Sequence, residues 1–219
     1  MSEATRPVII SPDTLRENRI PPRQALTRKW PVLHAGTVPA YAYYDSLGDT
    51  LSPQPKDWRA EWSFRIWGQV EQPWQCNYHE FRALAQVAVR ADMHCVTRWS
   101  KLDNVWEGVT TREVLSKVKL LPTARFVMVL CEEGFTTNLP LEDFLGEDCL
   151  FAWRHNGQDL EPDHGYPLRL VVPRLYAWKS AKWVRGVELL EHDKPGFWEE
   201  WDHGGYHMRG DPWNEQRFR

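Results

Sequence analysis

The chain has 219 residues and a mass of 25.8 kDa, and its 27 Lys and Arg residues against 30 Asp and Glu residues give a formal net charge of −3. With 42% hydrophobic and 26% charged residues, the composition is that of a folded globular protein and excludes an intrinsically disordered chain. The longest clearly apolar run, Phe126–Cys131, is far shorter than the roughly 20 residues of a membrane helix, so no membrane span is predicted. No export signal is visible, which favours the cytoplasm.

The first 27 residues are predicted to form an arm without a core of its own. Prolines interrupt this segment and its charges follow no period, so we expect extended chain that packs along the body. Residues 28–219 contain no repeat and no linker that divides them, which predicts a single domain. Within it, residues 31–41 and 45–59 are predicted to be loops.

The first regular elements of the body follow these loops. Alternating apolar positions in residues 61–70 predict a strand with one buried face. Helical spacing of apolar residues predicts a helix over residues 77–87, with Asn77 as its N-cap. Residues 87–97 return to strand character, and this strand brings Cys95 to its end.

Short elements are predicted in the second half of the chain. Thr110 and Glu113 have the spacing of a helix cap, so a short helix is expected there, and residues 141–145 favour one helical turn. Apolar, β-rich segments predict the following strands: 126–131, 149–153, 168–172 and 183–190. Asn156-Gly157 indicates a hairpin turn. Strands outnumber helices without regular alternation, so the predicted fold class is α+β, mixed and β-rich.

Cys95 is the candidate for a special cysteine. His94 precedes it and Arg98 and Lys101 follow, and such a positive neighbourhood favours the thiolate, which is both a nucleophile and a soft-metal ligand. The alternative is a small buried hydrophobic residue. The four cysteines form no CxxC pair, so neither a zinc ribbon nor a disulfide scaffold is predicted.

A local excess of positive charge marks a candidate anion site near the C-terminal end. Between residues 169 and 187 there are five basic residues and no acidic one: Arg169, Arg174, Lys179, Lys182 and Arg185. Such a cluster in an acidic chain favours a bound phosphate, and the alternative is a solvated face. Nucleic acid is disfavoured as a partner because the net charge is negative and no basic stripe runs along the chain.

Two further segments are candidates for ligand contacts. Residues 134–141 are small and polar and follow a predicted central strand, where ligands commonly bind; the alternative is a turn with a helix cap. His34 lies in a loop, where a histidine is more often structural than a ligand.

Taken together, these segments resemble the sulfite oxidase family of molybdopterin-dependent enzymes, in particular its small single-domain bacterial members. Four segments in the same order carry the resemblance: WPVLHAGTVP (30–39), DMHCVTRWSKLDNVWEGV (92–109), GFTTNLPLED (134–143) and HGYPLRLVVPRLYAWKSAKWVRGVE (164–188). The resemblance implies a sulfite-oxidase-type molybdopterin-binding fold. It also implies one molybdenum-molybdopterin cofactor in its non-dinucleotide form.

The resemblance assigns roles to individual residues. Cys95 matches the family's protein ligand to molybdenum. The positions that match cofactor contacts, in addition to Cys95, are His34, Thr137, His164, Arg169, Ser180, Ala181 and Lys182. Sulfite oxidases carry a run of arginines after the cysteine, whereas this chain has VTRWSK, so Arg98 and Lys101 are the expected catalytic residues at the substrate, with His94 or Trp99 beside them. Tryptophans expected to line the pterin pocket are Trp99, Trp106, Trp178 and Trp183.

The implied activity is oxygen-atom transfer to or from a small substrate, either a sulfite-like anion or an S- or N-oxide. Electrons would pass through an external redox partner, because the sequence has neither a haem-attachment motif nor an iron–sulfur cysteine pattern. Two alternatives remain open at this point. One is a molybdopterin-binding carrier without catalysis, and the other is a thiol enzyme that uses Cys95 directly as nucleophile.

Overall fold

The computed structural model describes residues 6–32, 38–39, 41–42, 58–200 and 209–215. In these ranges the chain forms twelve strands: β1 (Val8–Ile10), β2 (Ala25–Leu26), β3 (Ser63–Gly68), β4 (Trp74–Asn77), β5 (Gln86–Cys95), β6 (Trp99–Thr110), β7 (Phe126–Cys131), β8 (Thr136–Pro140), β9 (Leu150–His155), β10 (Gln158–Asp159), β11 (Arg169–Val171) and β12 (Val184–Leu190). The helices are short: α1 (Trp58–Glu61), α2 (Tyr78–Arg82), α3 (Thr111–Leu115), α4 (Leu141–Phe144) and α5 (Phe197–Glu200). Single 3₁₀ turns cover Pro12–Leu15, Glu132–Gly134, Pro162–His164 and Ala177–Lys179. The β-rich α+β prediction is confirmed.

The first sheet carries the Cys95 hairpin. Its order is β1-β5-β6-β9-β10, with β11 paired to β9 and β2 paired to β6. Strands β5 and β6 are antiparallel and pair Cys95 with Trp99, so the cysteine occupies the last residue before the turn. Where β6 meets β9, a Cβ on Gly108 would lie 1.9 Å from the carbonyl oxygen of Phe151, and only glycine permits this approach.

The second sheet has the order β4-β3-β12-β7-β8 and packs against the first through aromatic rings. The ring centroids of Phe64 on β3 and Phe151 on β9 are 5.2 Å apart, and Phe81 of α2 lies 4.8 Å from Phe64. All three rings are fully buried. The core therefore lies between the two sheets and fixes their relative position.

Most predicted elements are present, although the helix capped by Asn77 is shorter than predicted. Asn77 caps α2 through a reciprocal capping box with Glu80, as predicted. This helix ends at Arg82 rather than at residue 87, because Val87 pairs with Gly108 in the sheet. The hairpin turn at Asn156-Gly157 is confirmed, and both residues have positive φ, 49° and 80°.

The alternative of a turn with a helix cap at residues 134–141 is wrong, whereas the ligand contacts expected there stay a prediction. Residues Thr136–Pro140 form β8, which pairs along β7 with Thr137 opposite Val129. Polar side chains are not typical of a buried strand, but here the backbone N–H and C=O groups are hydrogen-bonded to β7. The twelve-residue strand β6 was also missed, since its charged residues hide the alternation that marks a strand.

The N-terminal arm adds two strands to the first sheet. β1 pairs in parallel with β5 and β2 pairs in parallel with β6. Arg19 anchors the arm through a bidentate ion pair with Asp92, with N–O distances of 2.6 and 2.8 Å. The Asp92 carboxylate is fully buried. The arm is therefore attached next to the Cys95 hairpin.

Candidate active site

Cys95 is presented by a tight turn between β5 and β6. Its carbonyl oxygen accepts a hydrogen bond from the Arg98 backbone N–H at 2.9 Å, and Arg98 adopts a left-handed φ of 72°. The thiol Sγ lies 3.1 Å from the Thr97 hydroxyl, and the residue is 1% exposed. Burial raises the pKa of the Cys95 thiol, so the thiolate needs a positive charge or a metal beside it.

The arm and the hairpin share a hydrogen-bond network behind Cys95. Gln24 donates from Nε2 to the Cys95 carbonyl at 2.8 Å and accepts from the Ser100 hydroxyl at 2.8 Å. The Ser100 proton is thereby used, so His94 donates to Ser100 from Nδ1 at 2.9 Å and carries its lone pair on Nε2. Burial is the main cause that lowers the pKa of His94 to about 4, so the ring is neutral.

The second group of predicted site residues is centred on a buried cation, Arg169. Arg169 is 4% exposed and donates to the backbone carbonyls of His164, at 2.7 Å, and Ser180, at 2.9 Å. Its Nε has no hydrogen-bond partner, and no carboxylate in the described ranges lies within 4 Å of the guanidinium. Burial lowers the pKa of Arg169 to about 9. Such a group favours a bound anion.

Other basic groups surround Arg169. Burial, followed by repulsion from Arg169, lowers the pKa of Lys182 to about 8, and its ammonium donates to the Asp163 carbonyl at 2.9 Å. Burial, Arg169 and Lys182 together lower the pKa of His164 to about 4. The imidazole of His164 is therefore neutral, and the cations Arg169 and Lys182 create a positive electrostatic potential beside it.

Aromatic rings form one wall of this cluster. Trp30 stacks on His164 with ring centroids 3.7 Å apart and planes within 5° of parallel. The Arg169 guanidinium lies 5.0 Å from the centroid of Trp30 and 5.5 Å from that of Trp106. Planar rings that face a guanidinium favour a flat polar ligand beside the anion site.

His155 extends the cluster towards Lys101. Asn104 donates from Nδ2 to the Ala91 and Lys101 carbonyls, so its Oδ1 faces His155 and accepts from His155 Nε2 at 3.0 Å. The free acceptor of the ring is therefore Nδ1. Burial, then Lys101 and Arg169, lower the pKa of His155 to about 3. The two predicted residues Lys101 and Arg169 thus act on the same neutral imidazole.

The segment from Ser180 to Lys182 closes the cluster. The Ser180 hydroxyl accepts from the Val172 N–H at 3.0 Å, and the Ala181 carbonyl accepts from the Leu170 N–H at 2.8 Å. The Ser180 N–H is already used, because it donates to the Ala177 carbonyl at 3.1 Å. These bonds tie the segment to β11 and to Arg169.

The basic cluster predicted from sequence is only partly a single site. Three of its five members are paired elsewhere: Arg174 with Asp143 at 3.2 Å, Lys179 with Glu199 at 2.6 Å, and Arg185 with Glu132 at 2.5 Å. The anion site therefore depends on Arg169 and Lys182.

The remaining predicted site residues have separate positions. Thr137 lies on β8, is 1% exposed, and its buried hydroxyl has no hydrogen-bond partner in the described part of the chain. Arg98 is exposed at the hairpin turn. His34 lies outside the described residues. Thr137 and Arg169 are thus two predicted cofactor contacts with an unsatisfied buried polar atom, which fits a polar ligand.

The chain is similar to known proteins over most of its length. Residues 51–198 match the family described as "Oxidoreductase molybdopterin binding domain". The chain is 44% identical over 203 residues to "Uncharacterized oxidoreductase YuiH" of Bacillus subtilis (strain 168), and this covers 93% of both chains. The chain belongs to the sulfite oxidase family of molybdopterin-dependent oxidoreductases. The family and the enzyme class expected from the sequence are thereby confirmed.

More distant members of the family are larger. "Sulfite oxidase" of Arabidopsis thaliana is 26% identical over 222 residues, which cover 85% of this chain and 54% of that protein. "Nitrate reductase [NADH]" of Lotus japonicus is 26% identical over 106 residues, which cover 42% of this chain and 12% of that protein. The sulfane dehydrogenase SoxCD of Paracoccus pantotrophus shares the fold, with a TM-score of 0.56, 20% identity and coverage of 61% of this chain and 39% of that chain. The chain therefore spans about half or less of these three proteins.

Several residues of the site were not assigned a role from sequence. Trp30 and Tyr176 lie in segments that carry the resemblance to the family, so a comparison of those segments could have found them. Gln24 and His155 show no local signal, because their contacts join segments far apart in the chain. No helix in the described part of the chain has the length and apolar character needed to cross a membrane.

Proposed function

We propose that this protein binds one molybdenum-molybdopterin and transfers an oxygen atom to or from a small sulfite-like anion or S- or N-oxide. Two observations carry the proposal: Cys95 is buried, and so is Arg169, a cation with no carboxylate within 4 Å in the described part of the chain. A soft thiolate suits a soft or high-valent metal, and a desolvated guanidinium suits a phosphate. Both demands are met by one phosphate-bearing dithiolene cofactor.

The residues present fit this group. Cys95 would hold the metal, and Arg169 and Lys182 would hold the phosphate. The stacked pair Trp30 and His164 would border the pterin. When bound, the cofactor supplies the two-electron oxygen-atom chemistry.

The protein's own contribution would be orientation and charge. Neutral His155 presents an acceptor at Nδ1 beside the cations, where a ligand N–H can bind. Lys101 is half-buried, and burial lowers the pKa of its ammonium. Arg98, exposed at the turn next to Cys95, would meet an anionic substrate as it arrives.

We further propose that electrons are exchanged with a separate redox protein, because the 219 residues contain no haem-attachment motif. A reducing, cytoplasmic location is supported by the four cysteines, all of which are unpaired. Direct thiol chemistry at Cys95 is disfavoured, since burial raises the pKa of that thiol and so lowers its thiolate fraction.

Metal analysis tests the proposal. Purified protein should contain molybdenum and release a fluorescent pterin on oxidation. Cys95→Ser should abolish turnover with artificial electron donors or acceptors on sulfite, sulfoxides and N-oxides, while pterin binding is partly retained. Cys76→Ser, which alters another buried cysteine on β4, is the matched control and should keep both properties.

Three results would contradict the proposal. Protein without molybdenum and pterin would refute the cofactor assignment. Full activity in Cys95→Ser would refute the ligand assignment. A fully loaded protein without turnover on any substrate would instead support the carrier alternative.

A further inference from the structure

The side chain of Gln24, in the N-terminal arm, lies between the Cys95 turn and the segment that begins at Tyr176. Its side-chain amide donates to the Cys95 carbonyl at 2.8 Å and accepts from the Ser100 hydroxyl at 2.8 Å. Tyr176 lies beside this side chain, and its hydroxyl donates to the Glu215 carbonyl at 2.9 Å. One amide therefore joins the Cys95 turn to strand β6 and borders the segment that begins at Tyr176.

The backbone of the arm holds Gln24 in place for these contacts. Ala25 N–H donates to the Arg98 carbonyl at 3.0 Å, and Thr27 N–H donates to the Ser100 carbonyl at 2.9 Å. These bonds belong to the parallel pairing of β2 with β6. Because these hydrogen bonds fix the main chain next to Gln24, its side-chain amide is held in one position. The clamp is the pair of hydrogen bonds that this amide makes with Cys95 and Ser100.

The segment on the far side of the clamp carries predicted cofactor contacts. Tyr176 is 2% exposed and precedes the 3₁₀ turn Ala177–Lys179, which leads directly to Ser180 and Lys182. Ser180 in turn accepts a hydrogen bond from Arg169. A displacement of Tyr176 relative to Cys95 would therefore move the anion site relative to the thiol.

We propose that Gln24 is a positioning residue that holds the Cys95 thiol at a fixed place relative to the Tyr176–Lys182 segment. This inference rests on the proposed function, in which Cys95 and that segment bind the same cofactor. Only a carboxamide meets the requirement, because it must donate to Cys95 and accept from Ser100 at once. A glutamate of the same shape accepts but cannot donate, and its charge faces the Cys95 carbonyl.

The first test measures the reactivity of Cys95 with iodoacetamide in full-length protein prepared without molybdenum cofactor. Alkylation of a buried thiol requires local opening, so loss of the clamp should speed it. In Gln24→Glu we expect alkylation of Cys95 to be about tenfold faster, from the loss of one buried hydrogen bond. Peptide mapping should show unchanged rates at the buried cysteines Cys131 and Cys149, which serve as internal controls.

Two further variants keep this test decisive. Thr27→Val is the matched control, because among the described residues the Thr27 hydroxyl bonds only with the backbone of Lys29, and it should leave all rates unchanged. Gln24→Met removes both polar contacts at similar length and replaces Gln24→Glu if that variant does not fold. Equal acceleration at every cysteine, or none at Cys95, would overturn the positioning role.

The second test uses protein that contains molybdenum. The electron paramagnetic resonance spectrum of the one-electron-reduced metal reports the geometry of its sulfur ligand. Its g values should shift in Gln24→Glu and stay the same in Thr27→Val, whereas a purely structural role of Gln24 would shift neither. Unchanged g values in Gln24→Glu would overturn the inference. If unaltered protein holds no molybdenum, the proposed function fails, but the alkylation ratio still decides the role of Gln24.

Discussion

Replacing Arg169 with methionine tests whether the cluster around it binds an anion or is an ordinary structural network. The substitution keeps an unbranched side chain between Trp30 and Trp106 and removes the charge. In an ordinary structural network, loss of a buried arginine is strongly destabilising because the carboxylate paired with it is left as an unpaired buried charge. In an anion site without its anion, the charge itself is the unfavourable element.

The structure allows the two contributions to be compared. The fall in the pKa of Arg169 from its ordinary value to about 9 corresponds to about 5 kcal/mol of unfavourable burial at neutral pH. The folded protein releases this proton at a lower pH than the unfolded chain, so the cost is complete below about pH 9 and shrinks above it. The substitution also leaves the carbonyls of His164 and Ser180 without a donor, at about 1–3 kcal/mol each. The two effects nearly cancel.

We therefore expect Arg169→Met to change the free energy of unfolding of the cofactor-free protein by less than about 2 kcal/mol. Inorganic phosphate should stabilise the unaltered protein, by about 1.4 kcal/mol at ten times its dissociation constant, and should not stabilise the variant. Denaturant titrations with and without phosphate, at matched ionic strength, measure both quantities.

Arg185→Met is the matched control, because Arg185 already has a carboxylate partner in Glu132 and donates to the Ser63 carbonyl. It should lose stability and keep the phosphate effect. A loss of more than about 4 kcal/mol in Arg169→Met would place Arg169 in a paired structural network and refute the reasoning. Equal stabilisation of both proteins by phosphate would refute the anion site.

Three other predictions concern the rest of the fold. Lys179→Met removes the ion pair between Lys179 and the fully buried Glu199 carboxylate, so chemical denaturation should show a loss of about 3–5 kcal/mol. Lys179→Met combined with Glu199→Gln should recover part of this loss. The pKa of His164 is lowered to about 4, so this residue binds more protons in the unfolded chain than in the folded protein below about pH 6.5. The free energy of unfolding should therefore fall as the pH drops from about 6.5 to 4, and it should fall less in His164→Gln, where only His94 and His155 contribute. The same pH dependence in both proteins would contradict this. Gly108→Ala should prevent the pairing of β6 with β9, seen as loss of soluble folded protein by circular dichroism, whereas Gly157→Ala, with no atom near its new methyl group, should cost only about 1 kcal/mol of φ strain.

Strand and turn signals were predictable where they depend on neighbouring residues. The strand that ends at Cys95, the N-cap at Asn77 and the turn at Asn156-Gly157 are all formed as predicted, because their geometry follows from local backbone preferences. Strand β8 was not predicted, since Thr136, Thr137 and Asn138 have side chains typical of a turn or a helix cap. Its pairing with β7 outweighs those local preferences.

The sequence alone determined the family, the mixed β-rich fold class and the single cysteine that stands apart from the other three. These follow from residues close together in the chain, where spacing carries the information. Tertiary structure decided which charges act together: it separates Arg174, Lys179 and Arg185 from Arg169 by supplying each with a carboxylate from a distant segment. It also brings Gln24 against Cys95, 71 positions away. Contacts of that range are set by sheet pairing and core packing, and no local pattern in the sequence records them.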